Sequence, residues 1–274
     1  MRPATLLLSA ALALATFGLA AGEDFRIDTE LFIGSAKEPF SENLTIFNEG
    51  EIYDFLLTNS EEITVFEPRQ GKLTLLDVKR QLKATMDTKE LLEAALSLQA
   101  KALEETDAVF RAAAKPEFIV KHEAFKENGN KFTRLKLEAK VIQYTAVGEK
   151  PRHPDAARDF RYFADWYARL NSVRGNLPAG ARLELNAAIF DQGLLPLRIE
   201  RVVQSDKFHR KAEVHSKHLI VWRLSGEDQK RIEQAQTYMV SDKFTLVTFD
   251  QYCRAASGAT AQQVRPAVGQ QAGR

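Results

Sequence analysis

The chain has 274 residues, with 38 Lys and Arg against 37 Asp and Glu, a formal net charge of +1. That balance lacks the basic excess of a nucleic-acid binder, and a single cysteine excludes an internal disulfide framework or a multi-cysteine metal knot. Hydrophobic residues at 45% and charged residues at 27% are the mix of a folded globule, not of a disordered chain.

Residues 1–22 read as a secretory signal peptide. Arg2 supplies the positive start, Leu6 to Leu19 is apolar apart from Ser9, Thr16 and Gly18, and Ala20, Ala21 and Gly22 offer small residues for cleavage. The apolar run falls short of the roughly 20 residues of a membrane helix, and no later run approaches one. The expectation is an exported protein, periplasmic or extracellular, with no transmembrane segment in the mature chain.

Phe25, Ile27, Thr29, Leu31 and Ile33 alternate with Arg26, Asp28 and Glu30, the period of a strand with one wet face. Hairpins are expected where Asn48 to Glu51 joins Leu44–Phe47 to Ile52–Phe55 and where Pro68 to Gly71 joins Ile63–Phe66 to Leu73–Val78. Two more would join Phe118–Phe125 to Phe132–Ile142 across Asn128-Gly129-Asn130, and Leu183–Phe190 to Leu195–Val203 across Asp191-Gln192-Gly193. Val214, Ser216, His218, Ile220, Trp222 and Leu224 share one face of a long strand, and Phe244–Phe249 reads as the last, which makes about eleven. Short connections require antiparallel pairing.

Three segments change to helical spacing. The first begins at Asp87 or Thr88, carries Leu91, Ala95, Leu98 and Ala102 on one face, and is closed by Pro116. In the second, Asp155 is the expected cap, Phe160, Phe163, Tyr167 and Leu170 form the stripe with Trp166 at its edge, and Gly175 stands past the end. In the third, Ser225 caps a helix to Met239 with Glu227 and Asp228 in the first turn and a weak stripe of Ile232, Ala235 and Met239. Val147 to Pro154 reads as a loop into the second helix. Residues 255–274 carry no large apolar side chain beyond two Val and read as a disordered tail, leaving 23–254 as one β-rich domain.

Three features carry a resemblance. One is the segment Asp191-Gln192-Gly193-Leu194-Leu195-Pro196-Leu197-Arg198-Ile199-Glu200, taken as a two-strand unit. Another is the opening order of strand, hairpin, strand pair and helix at Thr88. The third is the export signal ahead of a β-rich body with three helices. Together they make the chain resemble the LolA-like class of periplasmic proteins. Through Phe163-Ala164-Asp165-Trp166-Tyr167-Ala168-Arg169-Leu170-Asn171 it also looks like uncharacterised secreted bacterial proteins. The resemblance implies an α+β fold in which a curved, unclosed antiparallel β-barrel of about eleven strands holds the three amphipathic helices in its concavity. It also implies a lipid or lipoprotein as partner.

No catalytic motif appears: there is no Gly-x-Ser-x-Gly elbow and no Gly-rich phosphate loop. His209, His215 and His218 invite a metal reading, but on a strand His215 and His218 point to opposite faces, and His218 sits on the apolar face as a hydrogen-bonded core histidine would. Cys253 reads as a small buried hydrophobe. The expectation is therefore a binding protein without enzymatic activity, cofactor or metal. Leu91, Leu98, Phe160, Phe163, Trp166, Tyr167 and Leu170 would line an apolar ligand site between sheet and helices. The alternative is an envelope protein with a filled core that docks another protein.

Overall fold

Alternating polarity governs the first sixty described residues. A computed structural model describes residues 24–58, 61–205 and 210–255. Strands β1 (Phe25–Ile33), β2 (Ser41–Asn48), β3 (Glu51–Leu56), β4 (Glu62–Glu67), β5 (Lys72–Asp77) and β6 (Leu82–Asp87) follow one another through tight turns. Helices α1 (Thr88–Glu104) and α2 (Ala108–Ala114) lead to β7 (Ile119–Glu127), β8 (Asn130–Glu138) and β9 (Ile142–Glu149). Then come α3 (Pro154–Val173), α4 (Gly180–Asp191), β10 (Leu195–Ser205), β11 (Arg210–Val221), α5 (Gly226–Val240), β12 (Thr245–Leu246) and a last helix, α6, over 249–255.

All twelve strands form one open sheet in the order β12-β6-β5-β4-β3-β2-β1-β11-β10-β9-β8-β7. Pairing is antiparallel except where β12 runs parallel to β6. The fold is thus α+β with an unclosed antiparallel sheet. Its joint is β1 against β11, with Thr29 opposite His218, which sets the β1–β6 run beside the β7–β11 run.

Several expectations need correction. Leu183–Phe190 is not a strand: Ala181, Leu185 and Ile189 recur at helical spacing and bury together in α4. Asp191-Gln192-Gly193 is consequently a helix exit and not a hairpin turn, so the segment quoted for the resemblance is a helix-to-strand connection. Leu82, Ala84 and Met86 form β6, whose turn hides because Gln81 takes the left-handed conformation with no Gly or Asn to mark it. Val147 to Glu149 belongs to β9, not to a loop. The first helical run is two helices, because Asp107 accepts a 2.8 Å bond from the Val109 amide and starts α2 afresh. The α3 cap position is His153 with Pro154 at the first turn, not Asp155. The final strand shrinks to two residues, because Thr248 and Gln251 bond reciprocally at 3.0 and 3.3 Å and start α6.

Among the described residues there are six helices rather than three, and they do not all share one face. Phe25, Ile27, Phe47, Ile52, Phe66, Leu73 and Leu75 face α1 and α3 together with Tyr252 of α6. Leu135, Leu137, Ile142, Tyr144 and Ile199 continue that side against α2 and α4. The intervening residues Leu44, Ile46, Tyr53, Phe55, Ile63, Val65 and Leu76 point the other way and are covered by Ile232 and Ala235 of α5 and by Phe244. Strands β3 to β5 are therefore buried on both faces, and only α1 to α4 and α6 lie on the side expected to hold the helices. The expected capping of α5 is present, with Ser225 and Asp228 bonded reciprocally.

The exit of α4 illustrates the local chemistry. Gly193 has φ +59, its amide donates to the Phe190 carbonyl at 2.6 Å, and the Leu194 amide donates to Ile189 at 3.2 Å. These are the two bonds of a Schellman cap, which needs a left-handed residue at this position. Gly193→Ala should lower the unfolding free energy by about 1 kcal/mol; urea titration reads it, and an unchanged midpoint would remove the cap from the account.

The export segment expected at 1–22, the tail from residue 256 onward and His209 lie outside the described residues. Among the described residues no helix is long and apolar enough to cross a membrane.

Candidate functional site

Alternate residues of β1, β2 and β11 aim at α3. They include Ile27, Thr29 and Leu31, then Asn43, Thr45 and Phe47, then Val214, Ser216 and His218. Phe160, Phe163, Ala164, Tyr167 and Ala168 of α3 face them without filling the space between. What remains is a cavity of about 450 Å³, completed by Ile142, Tyr144, Ile199 and Arg201 from β9 and β10 and by Leu177 to Ala179, Ala181 and Arg182 at the start of α4. A volume of that size is in the range of small-molecule sites. Helix α4 is set in place by close approach. A Cβ on Gly180 would stand 2.2 Å from the Ala114 carbonyl oxygen, so only glycine lets α4 start against the end of α2.

Of the seven residues expected to line a ligand site, Phe160, Phe163 and Tyr167 border this cavity. The other four are elsewhere. Leu91 and Leu170 are fully buried in the core beside the cavity. Leu98 is 36% exposed on α1. Trp166 packs toward Phe66 and Tyr162, with the Arg169 guanidinium 4.9 Å from its ring centroid. Helical spacing identified the stripe correctly, but a stripe is wider than the part of it that meets open space.

The walls are also more polar than an apolar stripe implies. At one end, Asp54 of β3 accepts from Thr45 Oγ1 at 2.6 Å, from Asn43 Nδ2 at 3.0 Å and from the Tyr167 hydroxyl. Burial outweighs these three donors and pushes the Asp54 carboxyl up to about 6. Burial and then the Asp54 charge raise Tyr167 well above the tyrosine range. In the middle, Thr29 Oγ1 lies 3.0 Å from His218 Nδ1 and Ser216 Oγ lies 2.9 Å from Nε2. Each hydroxyl can donate or accept, so either ring tautomer fits these contacts. Burial, followed by the charge of Arg182, pulls His218 down to about 3. His215 faces the other way and stacks on Phe32 with centroids 4.9 Å apart, so the opposite-face reading of the two histidines is what the strand gives.

At the far end stand two guanidinium groups. Arg182 Nε donates to Asn186 Oδ1 at 2.9 Å, and Asn186 Nδ2 donates to Asp165 Oδ1 at 2.9 Å. Burial lowers the Arg182 pKa, but arginine keeps its charge. Arg201 on β10 lines the same end.

Neither family models nor curated proteins match this chain. The site is therefore read from its own geometry. It offers apolar walls, a buried acid at one end, two arginines at the other and a neutral histidine between them. No arrangement of nucleophile, base and oxyanion donors is recognisable in it, and no group of three or more His, Cys, Asp or Glu able to hold a metal occurs among the described residues.

A second cleft of about 480 Å³ opens at the β2–β3 turn beside α3. Part of its charge is committed: Arg158 pairs with Asp155 and Asp159, and Arg161 with Asp165. Cys253 on α6 is half-buried, and burial pushes its thiol pKa up, which suits an unreactive side chain.

Proposed function

We propose that this is an exported, non-enzymatic binding protein that holds an apolar or amphiphilic small molecule, such as a lipid, between its sheet and helix α3. The carrying observation is the cavity of about 450 Å³ where a helix stripe would be expected to close on the sheet. The space opens to solvent and is walled by Phe160 and Phe163, which gives a small molecule both an entrance and an apolar surface to cover. The reading goes with a curved, LolA-like shell formed by residues 23–254 as one domain around α3 and α4. Its support is topological: an open antiparallel sheet with helices against one side, behind a segment of export-signal composition.

The test is direct. Protein recovered gently from its exporting host should carry copurified lipid in native mass spectrometry. Delipidated protein should bind an environment-sensitive apolar dye that the lipid displaces. Ala168→Phe, which puts a ring into the cavity, should weaken dye binding by about tenfold or more while the far-UV spectrum stays native. If neither lipid nor dye is held by the folded parent, the cavity is not a binding site.

Docking of an envelope protein is the second reading, and one observation favours it. Strand β7 is a sheet edge with an unpaired backbone, and it exposes Ile119 and Val120 by 64% and 50%.

A further inference from the structure

We infer that the cavity selects an anionic amphiphile, with its oxyanion head against Arg182 and Arg201 and its tail along the apolar walls. The inference rests on the binding reading above and adds the chemistry of the ligand.

Several partly buried arginines are held by carboxylates. Arg26 meets Asp228 at 2.7 Å, Arg174 meets Glu62 at 2.7 Å, and Arg80 meets Asp77 at 2.8 Å. Arg182 and Arg201 are only partly exposed and line a largely apolar cavity, yet they are not held in this way. Among the described residues neither has a carboxylate within salt-bridge distance. The one hydrogen bond of Arg182 goes from Nε to Asn186, a neutral amide. That bond and the Asn186–Asp165 bond behind it fix the plane of the guanidinium and leave both Nη groups without a hydrogen-bond acceptor. A planar fork held from behind, beside a second guanidinium, is the geometry that receives a carboxylate or phosphate through paired N–H donors.

The other polar groups agree with an anion at this end and not elsewhere. His218 is neutral and both ring nitrogens are occupied by Thr29 and Ser216, so it neither attracts nor repels an anion. Asp54, the group that would repel one, lies on β3, four strand spacings from Arg201 on β10 along the sheet order. At about 4.8 Å per spacing that is roughly 19 Å. Between these ends the walls are Ile27, Phe47, Phe160 and Phe163, while Ile142 and Ile199 stand beside the arginines. The cavity is thus polarised along its length, cationic at the α4 end and apolar behind it.

Three twelve-carbon probes separate the outcomes: dodecanoate, dodecyl phosphate and dodecanol, with inorganic phosphate and acetate as headgroups without a tail. Calorimetry or dye displacement on the delipidated parent should show both anionic amphiphiles binding at least about tenfold tighter than dodecanol, the factor expected for charge-assisted hydrogen bonds. The small anions should bind far more weakly than either. Arg182→Gln with Arg201→Gln should abolish the preference and leave dodecanol affinity unchanged. Arg201→Lys should keep part of the preference. Equal binding of dodecanol and dodecanoate by the parent overturns this inference while the cavity reading stands. Tight binding of phosphate or acetate alone overturns it in favour of a small-anion site. Failure of all three amphiphiles and the dye removes the cavity reading itself.

Discussion

Arg174→Met should lower the unfolding free energy by about 3–5 kcal/mol at pH 7. Arg174 closes α3, and its Nη2 reaches both oxygens of Glu62 at 2.7 and 2.8 Å. The Tyr252 hydroxyl donates to the same carboxylate at 3.0 Å. Both ends of the pair are largely out of water, with side chains 17% and 15% exposed. Burial works against the Arg174 charge, but Glu62 outweighs it and holds the guanidinium above its ordinary pKa. Removing the arginine leaves a carboxylate that has lost its counter-ion and cannot return to solvent. The cost is that of an orphaned buried charge and not of a surface pair, which would be about 0–1 kcal/mol. The double variant Arg174→Met with Glu62→Leu should recover much of the loss, because an apolar pair no longer carries the desolvation penalty. Urea unfolding of the four proteins in the cycle gives both numbers. A loss below about 1 kcal/mol for the single variant would mean that the bridge is solvated and does not anchor α6.

The second large effect is opposed titration in the cavity wall. Asp54 has a folded pKa of about 6, above the unfolded value near 3.9. Between pH 4 and 6 the folded state binds the extra proton, so Asp54 makes stability fall as pH rises across that window. The amount is about 3 kcal/mol, fully incurred above pH 6. His218 has a folded pKa of about 3, below the unfolded value near 6.5. Between pH 3 and 6.5 the unfolded state binds the extra proton, so His218 makes stability rise with pH, by up to about 5 kcal/mol. The two slopes cancel between pH 4 and 6 in the parent. Substituting one group exposes the other. From pH 4 to 6, Asp54→Asn should gain about 3 kcal/mol relative to the parent. From pH 6.5 down to 4, His218→Gln should gain relative to the parent instead. Charges near these groups are Glu62 and Tyr167 at Asp54 and Arg182 at His218, and both variants leave them in place. Denaturant midpoints at four pH values decide the matter. Parallel curves for parent and both variants would show that neither group is desolvated.

Much of the architecture was readable from the chain, and what was missed shares a cause. β1 alternates cleanly, Gly50, Pro68 and Gly71 mark hairpin turns, and Ser225 with Asp228 marks α5. Segment Leu183–Phe190 deceived because Leu183 and Leu185 alternate like a strand. The decisive spacing, Ala181, Leu185 and Ile189, includes an alanine whose burial depends on α2 lying against it. Thr248 and Gln251 were a legible capping pair overlooked beside a run of β-formers. The adjacent pair Leu75-Leu76 carried a signal for two covered faces, as strands buried on both sides lose alternation. The site divided the same way. Phe160, Phe163 and Tyr167 follow from helical period alone. Asp54, Arg182 and His218 come together only through the strand order, in particular the β1–β11 joint between residues 189 apart in sequence. No local pattern encodes that neighbourhood.

The sheet's unequal covering has a dynamic consequence. Strands β3 to β5 are sandwiched between helices, whereas nearly every residue of β7 is exposed and the strand hangs on β8 alone. Free energies of local opening follow such differences in buried contact. Thermal fluctuations therefore peel the molecule from the β7 rim inward, toward β9 and β10. The arginine end of the cavity lies toward that rim, and the Asp54 end lies in the half of the sheet covered on both faces.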